Sequence, residues 1–520
     1  MAIVHTSYGK LEGIEDEGLH IFKDIPYASP PVGGKRWCAP EPPESWSGVR
    51  DATQWGKQAW QSAASGTGAT SVFFLAEDNP KRNEDCLVLS IFTPGNDDKK
   101  RPVLFWIHGG GFGGGTGATP AYSGKNVARH GDVVVVTVNY RVGVLGFLNL
   151  GEITGGRIPS TGNEGLLDQT MALQWVQDNI SAFGGDPDNV MIYGESAGGM
   201  SVGALMAFEP AKGLFHRASP ISGAGSCCII QNRSIDIADR FFNALGLSPK
   251  DDIDKLLAMH PEELMAAAGK VRTPNGGMIF SPVVDGTDLP DIPLECIRKG
   301  SADGISVLTG TTRDEWRLFI CQNPATEDES ELIAELGKHL DGPEELFAGY
   351  KDLRAKAGED TSPIAVYAAI ETARKMWWPC IQLCEAMGAR GQDTYQYLFT
   401  WPSPYTMANG KPLHMSHAVV CGYIFGNHDI NDDARGFFGS GPAADTLAGH
   451  TMDTWINFAR TGNPRSNGLS NWTPYEPQNR TTAILGDPVE VVNAPFEEER
   501  ALWDDRGQTA LPLGPARGAA

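Results

Sequence analysis

The sequence predicts an α/β fold in which helices flank a mostly parallel central sheet. Residues 103–107 and 133–138 are continuous apolar runs, which are typical of strands covered on both faces. Between Leu166 and Phe183, apolar residues recur at helical spacing. Residues 190–193 then predict a third buried strand, so that strands and helices alternate along the chain, as they do in α/β proteins.

The segments on either side extend this organisation. The first 50 residues predict short strands and turns, and they include a Pro/Gly-rich stretch. Helical patterns at about 230–300 and 325–395 predict cap insertions into the sheet, because no long Ser/Gly spacer separates them from it. We therefore expect a single domain over residues 1–505 and a flexible C-terminal tail over 506–520.

Composition and charge exclude several classes of protein. The 520 residues are 41% hydrophobic and 20% charged, which is a globular composition. The net charge of −22 argues against nucleic acid as a partner, because a phosphate-binding surface needs clustered positive charge. No apolar run is long enough to span a membrane, and the N-terminus has no signal-peptide pattern. An odd and sparse set of nine cysteines favours free thiols and a cytoplasmic location.

The sharpest chemical signal is a G-x-S-x-G motif at residues 194–198, between a predicted strand and a predicted helix. A serine in this motif sits on a tight strand-to-helix turn, which small flanking residues permit. The helix that follows directs free N–H groups and the positive end of its dipole toward the hydroxyl. The pentapeptide also occurs by chance in long chains, but its context favours Ser196 as a nucleophile.

A glycine-rich loop is the second signal, because seven of the nine residues from 109 to 117 are Gly. The loop follows the predicted strand at 103–107, and its N–H groups can turn inward without side chains in the way. Two of them, together with the N–H of Ala197, would form an oxyanion hole. A flexible surface loop is the alternative. A dinucleotide site is excluded, since no helix begins on the G-x-G-x-x-G that starts at Gly109.

Residue spacing leaves the acid and the base of a catalytic triad open. In a serine hydrolase of this architecture, the nucleophile precedes the acid and then the histidine along the chain. Asp314 and Glu315 both follow a strand-like run and are candidates for the acid. His414 and His417 both lie late in the chain and are candidates for the base.

Several motifs resemble those of type-B carboxylesterases and cholinesterases. They include N-E-D-C at 83–86, G-N-E-G-L-L-D-Q at 162–169 and W-I-N-F-A-R-T-G-N-P at 455–464. Further matching segments are 22–27, 30–33, 139–143, 183–187 and 282–286. The matches cover nearly the whole chain. This resemblance implies an α/β-hydrolase fold and a carboxylesterase of the bacterial or fungal type rather than a true cholinesterase.

The resemblance also assigns roles to the candidate residues. It implies Ser196 as the nucleophile, Glu315 as the acid and His417 as the base, and it leaves His414 structural. The other positions that it implies are the oxyanion donors Gly110, Gly111 and Ala197, the supporting residues Glu195 and Ser222, and the ion pairs Arg36–Glu84 and Arg141–Asp168.

The chain departs from the family pattern at three places. Ala59 replaces the upstream partner of the family's disulfide to Cys86, so we expect Cys86 to be free. Ala418 and Val420 follow the implied base, where the family has Gly and an acid. Asp78 replaces the aromatic residue of the choline site. This argues against choline esters as preferred substrates, because quaternary ammonium recognition favours an aromatic face.

Together these features predict a serine carboxylesterase that hydrolyses a small-molecule ester through an acyl-enzyme on Ser196. No cofactor or metal is expected, because neither His414 with His417 nor Cys380 with Cys384 has a third ligand at zinc-like spacing. We expect a monomer or a weak homodimer. Two alternatives are a hydrolase of the same family that prefers amides or carbamates, and a non-catalytic adhesion module.

Overall fold

The structure, a computed structural model, describes residues 1–61, 81–225, 227–271, 278–322, 326–407, 410–504 and 506. Asp78 lies outside these residues, and of the tail expected at 506–520 only Arg506 is described. The strands are β1 Ala2–His5, β2 Lys10–Asp16, β3 Leu19–Pro26, β4 Val49–Asp51, β5 Val88–Thr93, β6 Arg101–Ile107, β7 Val134–Val138, β8 Gly185–Glu195, β9 Arg217–Ile221, β10 Ile229–Ile230, β11 Val283–Val284, β12 Ser306–Thr312, β13 Thr394–Phe399, β14 Ser403–Thr406, β15 Pro412–His414, β16 Thr481–Leu485 and β17 Glu490–Asn493.

Helices connect these strands and cover the sheet. The α-helices are α1 Lys125–Gly131, α2 Glu164–Asn179, α3 Ala197–Leu205, α4 Gln231–Leu245, α5 Ile253–Ala258, α6 Pro261–Ala268, α7 Pro293–Arg298, α8 Arg317–Gln322, α9 Glu329–Gly337, α10 Pro343–Ala357, α11 Pro363–Thr372, α12 Trp378–Ala389, α13 Val419–Ile424, α14 Asp432–Phe438, α15 Pro442–Thr461 and α16 Glu497–Ala501. A π-helical turn, Ala373–Trp377, joins α11 to α12. Among the described residues, no helix is both long and apolar enough to cross a membrane.

The large sheet has the order β1-β2-β3-β5-β7-β6-β8-β9-β12-β13-β16-β17, and β4 pairs with β2. Its central strands, from β7 to β16 in this order, pair in parallel, whereas β1, β2, β3 and β5 pair antiparallel along one side and β17 does so at the other edge. The predicted α/β fold with a mostly parallel sheet is confirmed. The carboxyl ends of the parallel strands therefore lie along one edge, where the loops that follow them meet.

Both faces of the central strands are buried, as their continuous apolar runs predict. Along β6, Val103, Phe105 and Ile107 pack into one hydrophobic core cluster, and Leu104 and Trp106 pack into the cluster on the opposite face. This alternation follows from the period of two along a strand.

The boundaries of two elements differ from the predicted ones. The strand expected at 190–193 extends over Gly185–Glu195. Gly185 pairs with Arg101, the register then shifts, and pairing resumes at Val190, so the polar residues between them give no strand signal in the sequence. The helix expected up to Phe183 ends at Asn179 and continues as a 3₁₀ turn, Ile180–Phe183, that stops at Gly184 with φ of 75°. Apolar spacing does not distinguish these two helical forms. Helices α4–α6 and α9–α12 fall within the ranges of the two expected insertions, while the single-domain organisation stays a prediction.

A buried ion pair ties the loop after β7 to helix α2. Arg141 Nε lies 2.8 Å from Asp168 Oδ2, and Arg141 Nη2 lies 2.7 Å from Oδ1. The side chain of Asp168 is fully buried, and that of Arg141 is 4% exposed. Removing one partner of such a pair leaves the other charge buried without compensation.

We therefore expect Asp168→Asn to lower the free energy of unfolding by about 3–5 kcal/mol, measured by urea denaturation. The matched control is Asp254→Asn, which breaks the exposed pair with Arg157 at 3.3 Å. Its cost should stay below about 1 kcal/mol, since exposed pairs contribute little. Equal losses in the two variants would contradict this interpretation.

Candidate active site

Ser196 lies on a strained turn between β8 and α3. Its backbone has φ of 58° and ψ of −125°, a conformation that costs about 1–3 kcal/mol and clusters at functional sites. The flanking glycines are required by close backbone approaches: a Cβ at Gly198 would lie 2.0 Å from the Ile107 carbonyl oxygen, and one at Gly194 would lie 2.6 Å from it. The turn predicted from the motif is therefore present, with Ser196 at its apex.

The Glu315 carboxylate is the most completely enclosed group of the site. Its side chain is fully buried. Oε1 accepts hydrogen bonds from Ser222 Oγ at 2.5 Å and from the Thr312 N–H at 2.7 Å. Oε2 forms a short contact with His417 Nδ1. The structure thus brings Glu315, rather than its partly exposed neighbour Asp314, to the imidazole.

The second imidazole nitrogen of His417 faces Glu195. Nε2 lies 3.0 Å from Glu195 Oε1, within ion-pair distance, although neither atom has an aligned hydrogen-bond partner among the described residues. Burial raises the pKa of Glu195 to about 7, and the Glu315 charge adds to this effect. Burial disfavours the imidazolium, but the Glu195 and Glu315 carboxylates raise the pKa of His417 to about 9. The two groups therefore titrate as a coupled pair.

The glycine-rich loop runs past Ser196. A Cβ at Gly109 would lie 2.7 Å from the Glu195 carbonyl oxygen and 3.1 Å from the Ser196 Cβ. Only a glycine therefore lets the loop pass this close to the backbone at Ser196. Gly110 has φ of 113° and accepts bonds from the N–H groups of Gly113 and Gly114. The N–H groups of Gly110, Gly111 and Ala197 have no acceptor among the residues that the structure describes. These donors are therefore available for a ligand.

Three side chains that the sequence does not reveal hold this loop. Gln61 accepts from the Gly115 N–H at 2.8 Å and donates to the Gly115 carbonyl at 2.9 Å. Asn139 accepts from the Gly117 N–H at 2.8 Å, and Tyr140 donates to the His108 carbonyl at 2.8 Å. No spacing rule identifies such partners, because Gln61 lies 54 residues before Gly115. The loop is fixed by these contacts, which contradicts the alternative of a flexible surface loop.

Phe319, on α8, is a further residue of the site that the sequence does not signal. Its ring centroid lies 5.0 Å from that of His417. His414, in contrast, belongs to β15 and pairs with Ser403. The structure therefore separates the two histidines that spacing alone leaves equivalent.

The expected ion pairs and the free Cys86 are also present. Arg36 Nε lies 2.6 Å from Glu84 Oε1, and Arg36 Nη2 lies 2.7 Å from Oε2. Ala59 and Cys86 line one small cavity, and Cys86 is not bridged. Ala418, which replaces the family's Gly, has φ of 67°, the left-handed region that favours Gly.

Potential metal ligands occur elsewhere in the described part of the chain. Atoms of His428, Asp429 and Asp445 lie within 4.8 Å of one another, and both carboxylates are exposed. His428 Nε2 lies 3.0 Å from Asp445 Oδ1, so this ring nitrogen already has a hydrogen-bond partner in the protein. We assign no metal to this group.

Comparison with known proteins decides the family. A family model described as the carboxylesterase family matches residues 1–503. The chain belongs to the carboxylesterase family. The predicted fold and the predicted enzyme class, a carboxylic ester hydrolase, are confirmed, and the alternative of a non-catalytic module is not supported.

Among curated carboxylesterase relatives, the para-nitrobenzyl esterase of Bacillus subtilis is 37% identical and covers 97% of this chain and 99% of its own length. The phenmedipham hydrolase of Pseudarthrobacter oxydans is 33% identical, and the match covers 93% of this chain and 95% of the length of that protein. Among solved structures, the carboxylesterase EST55 of Geobacillus stearothermophilus matches with a TM-score of 0.85 and 38% identity, over 96% of this chain and 99% of its own. The chain is thus similar over nearly its whole length to carboxylesterases of bacteria.

We expect Glu195→Gln to lower the pKa of His417, because the variant removes a carboxylate that stabilises the imidazolium at 3.0 Å. The measurement is a ¹H NMR titration of the downfield imidazole N–H resonance. Glu344→Gln, which removes an exposed carboxylate, is the control and should leave the titration unchanged. An unchanged pKa in Glu195→Gln would show that this contact does not stabilise the imidazolium.

Proposed function

We propose that the protein hydrolyses small-molecule carboxylic esters by acyl transfer through Ser196, with His417 as the base and Glu315 as the acid. The observation that carries this proposal is the Glu315 carboxylate, which contacts His417 Nδ1 while Ser222 and Thr312 satisfy its other oxygen. That arrangement orients the imidazole through Nδ1 and leaves Nε2 as the nitrogen that exchanges a proton with Ser196 once the imidazolium has deprotonated.

In the first half of the reaction, Ser196 Oγ attacks the ester carbonyl as its proton passes to His417 Nε2. Glu315 orients the imidazole and stabilises the imidazolium that forms. The unpaired N–H groups of Gly110, Gly111 and Ala197 stabilise the oxyanion. His417 then donates the proton to the leaving alcohol, and an acyl-enzyme remains on Ser196.

In the second half, His417 takes a proton from water, which attacks the acyl carbonyl and releases the acid. His417 Nε2 has no aligned hydrogen-bond partner among the described residues, and catalytic hydrogen bonds of this kind tighten in the complex with substrate. Because the base must be neutral to accept a proton, activity should rise with pH as the imidazolium deprotonates. No step of this mechanism requires a metal or an organic cofactor.

We also infer that partners are limited to the ester substrate, without nucleic acid, and that the chain is a monomer or a weak homodimer. The net charge of −22 supports the first point. The eight cysteines whose side chains are described form no disulfides, which supports the expected reducing, cytoplasmic environment.

The proposal predicts that a fluorophosphonate probe forms a covalent adduct at Ser196 in the folded protein. Peptide mass mapping locates the adduct, and Ser196→Ala should abolish both labelling and hydrolysis of p-nitrophenyl butyrate. Ser201→Ala, on the buried face of the same helix, is the control. Labelling at another serine, or activity that survives in Ser196→Ala, would refute the assignment.

The acid and the base are tested by matched pairs of neighbours. Glu315→Gln and His417→Ala should each lower kcat by at least about 10³-fold, the scale on which triad variants act. Asp314→Asn and His414→Ala should retain most of the wild-type kcat, since among the described residues no hydrogen bond or ion pair joins either side chain to Ser196, Glu315 or His417. The reverse ranking within either pair would overturn that assignment.

A further inference from the structure

A buried arginine and a partly buried lysine share a single carboxylate near the proposed active site. Arg374 Nε lies 2.6 Å from Glu371 Oε1, and Arg374 Nη2 lies 2.9 Å from Oε2. Lys375 Nζ lies 2.9 Å from the same Oε2. The side chains of Glu371 and Arg374 are 3% and 2% exposed, and that of Lys375 is 21% exposed. When both cations are protonated, the group carries one positive charge more than its carboxylate neutralises. Burial lowers the pKa of Lys375, and the Arg374 charge adds to this effect, so the protonated ammonium needs a further anion.

No other described carboxylate removes this excess. Glu335 also acts on Arg374 through its charge, but it already pairs with Lys338. Arg374 Nη1 is buried and has no hydrogen-bond partner among the described residues. Tyr367 and His339 lie nearby, and burial lowers the pKa of His339, which keeps that ring neutral. A buried surplus charge is costly unless an anion compensates it.

Lys375 lies on an irregular helical turn that packs against Trp316. Residues Ala373–Trp377 form a π-helical turn, a feature that is rare and frequently found at functional sites. Lys375 Nζ lies over the Trp316 ring, 3.6 Å from its centroid. The backbone N–H of Trp316 donates to Thr372 Oγ1 at 3.0 Å. Because Trp316 directly follows Glu315, this bond ties the start of the turn to the segment that carries the proposed acid.

A continuous aromatic surface connects Lys375 to His417. The Trp316 and Phe319 ring centroids lie 4.4 Å apart, and Phe319 lies 5.0 Å from the His417 ring. Trp316 and Phe319 are both partly exposed, so the two rings can contact a ligand. One end of this surface is the proposed base, and the other end is the ammonium of Lys375.

We propose that Lys375 is a specificity residue that binds the carboxylate of ester substrates carrying a negative charge at the end remote from the ester. This inference rests on the proposed function of Ser196 and His417. The Trp316 and Phe319 rings pack against the carbon skeleton between the two ends. The ammonium forms a charge-assisted hydrogen bond to the carboxylate and thereby receives the counter-charge that Glu371 does not supply.

A purely structural role for Lys375 is less consistent with these contacts. Arg374 alone binds both oxygens of Glu371, so the carboxylate stays paired when Lys375 is replaced by a neutral residue. Lys375→Met should therefore fold with wild-type thermal stability or better, because it removes a partly buried surplus charge while keeping the length of the side chain.

The test uses two pairs of esters that differ only in a carboxylate. One pair is mono-p-nitrophenyl adipate and its methyl ester, methyl p-nitrophenyl adipate, with the charge of the first compound on the acyl side. The other is 4-acetoxybenzoate and its methyl ester, with the charge on the alcohol side. In the wild type, kcat/KM for the charged member of at least one pair should exceed that for its neutral counterpart.

In Lys375→Met, this preference should fall by about tenfold or more through a rise in KM, the effect of losing one charge-assisted hydrogen bond. Lys375→Arg should keep most of the preference. Lys351→Met removes an exposed lysine that pairs with Glu329, and it controls for the change in overall charge. All variants should hydrolyse the neutral esters at the wild-type rate.

The outcomes separate this inference from the proposed function. A wild type that hydrolyses neither ester of either pair would refute the proposed function. Hydrolysis of the neutral esters, with a ratio of charged to neutral ester that Lys375→Met leaves unchanged, would overturn the role of Lys375 alone. A loss of preference in Lys375→Arg equal to that in Lys375→Met would also overturn the charge-based assignment.

Discussion

The buried carboxylate of Glu315 is the constraint on which the arrangement of the site depends. A charge that is fully withdrawn from water must be paired and hydrogen-bonded, or it destabilises the fold. Here the partners come from three separate parts of the chain: Thr312 at the end of β12, Ser222 after β9, and His417 on the loop before α13. The carboxylate thus fixes the relative positions of these loops and the orientation of the imidazole.

A parallel sheet makes this convergence geometrically straightforward. Strands β6, β8, β9 and β12 lie side by side and run in the same direction, so the residues after each strand meet at one edge. The glycine-rich loop follows β6 and Ser196 follows β8. The ion pairs Arg36–Glu84 and Arg141–Asp168 then anchor the surrounding loops.

The electrostatic environment of the His417 imidazole differs strongly from that of an imidazole in water. Two carboxylates flank one imidazole, with Glu315 at Nδ1 and Glu195 at Nε2. Both favour the imidazolium, and burial opposes it. This balance stabilises the positive charge that develops on the base during acyl transfer, and it couples the protonation of His417 to that of Glu195.

The sequence by itself determined the elements whose signals are local. The apolar runs predicted β6 and β7, and the G-x-S-x-G motif with its flanking strand and helix placed Ser196 on a tight turn. The resemblance to a family selected Glu315 and His417, which spacing left undecided. These features are readable because strand burial and a strained turn each require particular residue types at fixed short distances along the chain.

Only the tertiary structure decided the contacts that join distant segments. Gln61 holds the loop at Gly115, Phe319 packs on His417, and Lys375 lies over Trp316. The extent of β8 and the end of the 3₁₀ turn after α2 also emerged only in the fold, because strand pairing sets the first and the left-handed Gly184 sets the second. Such contacts leave no periodic pattern in the sequence: they depend on where each backbone segment lies in space, and that is fixed by the packing of the whole chain.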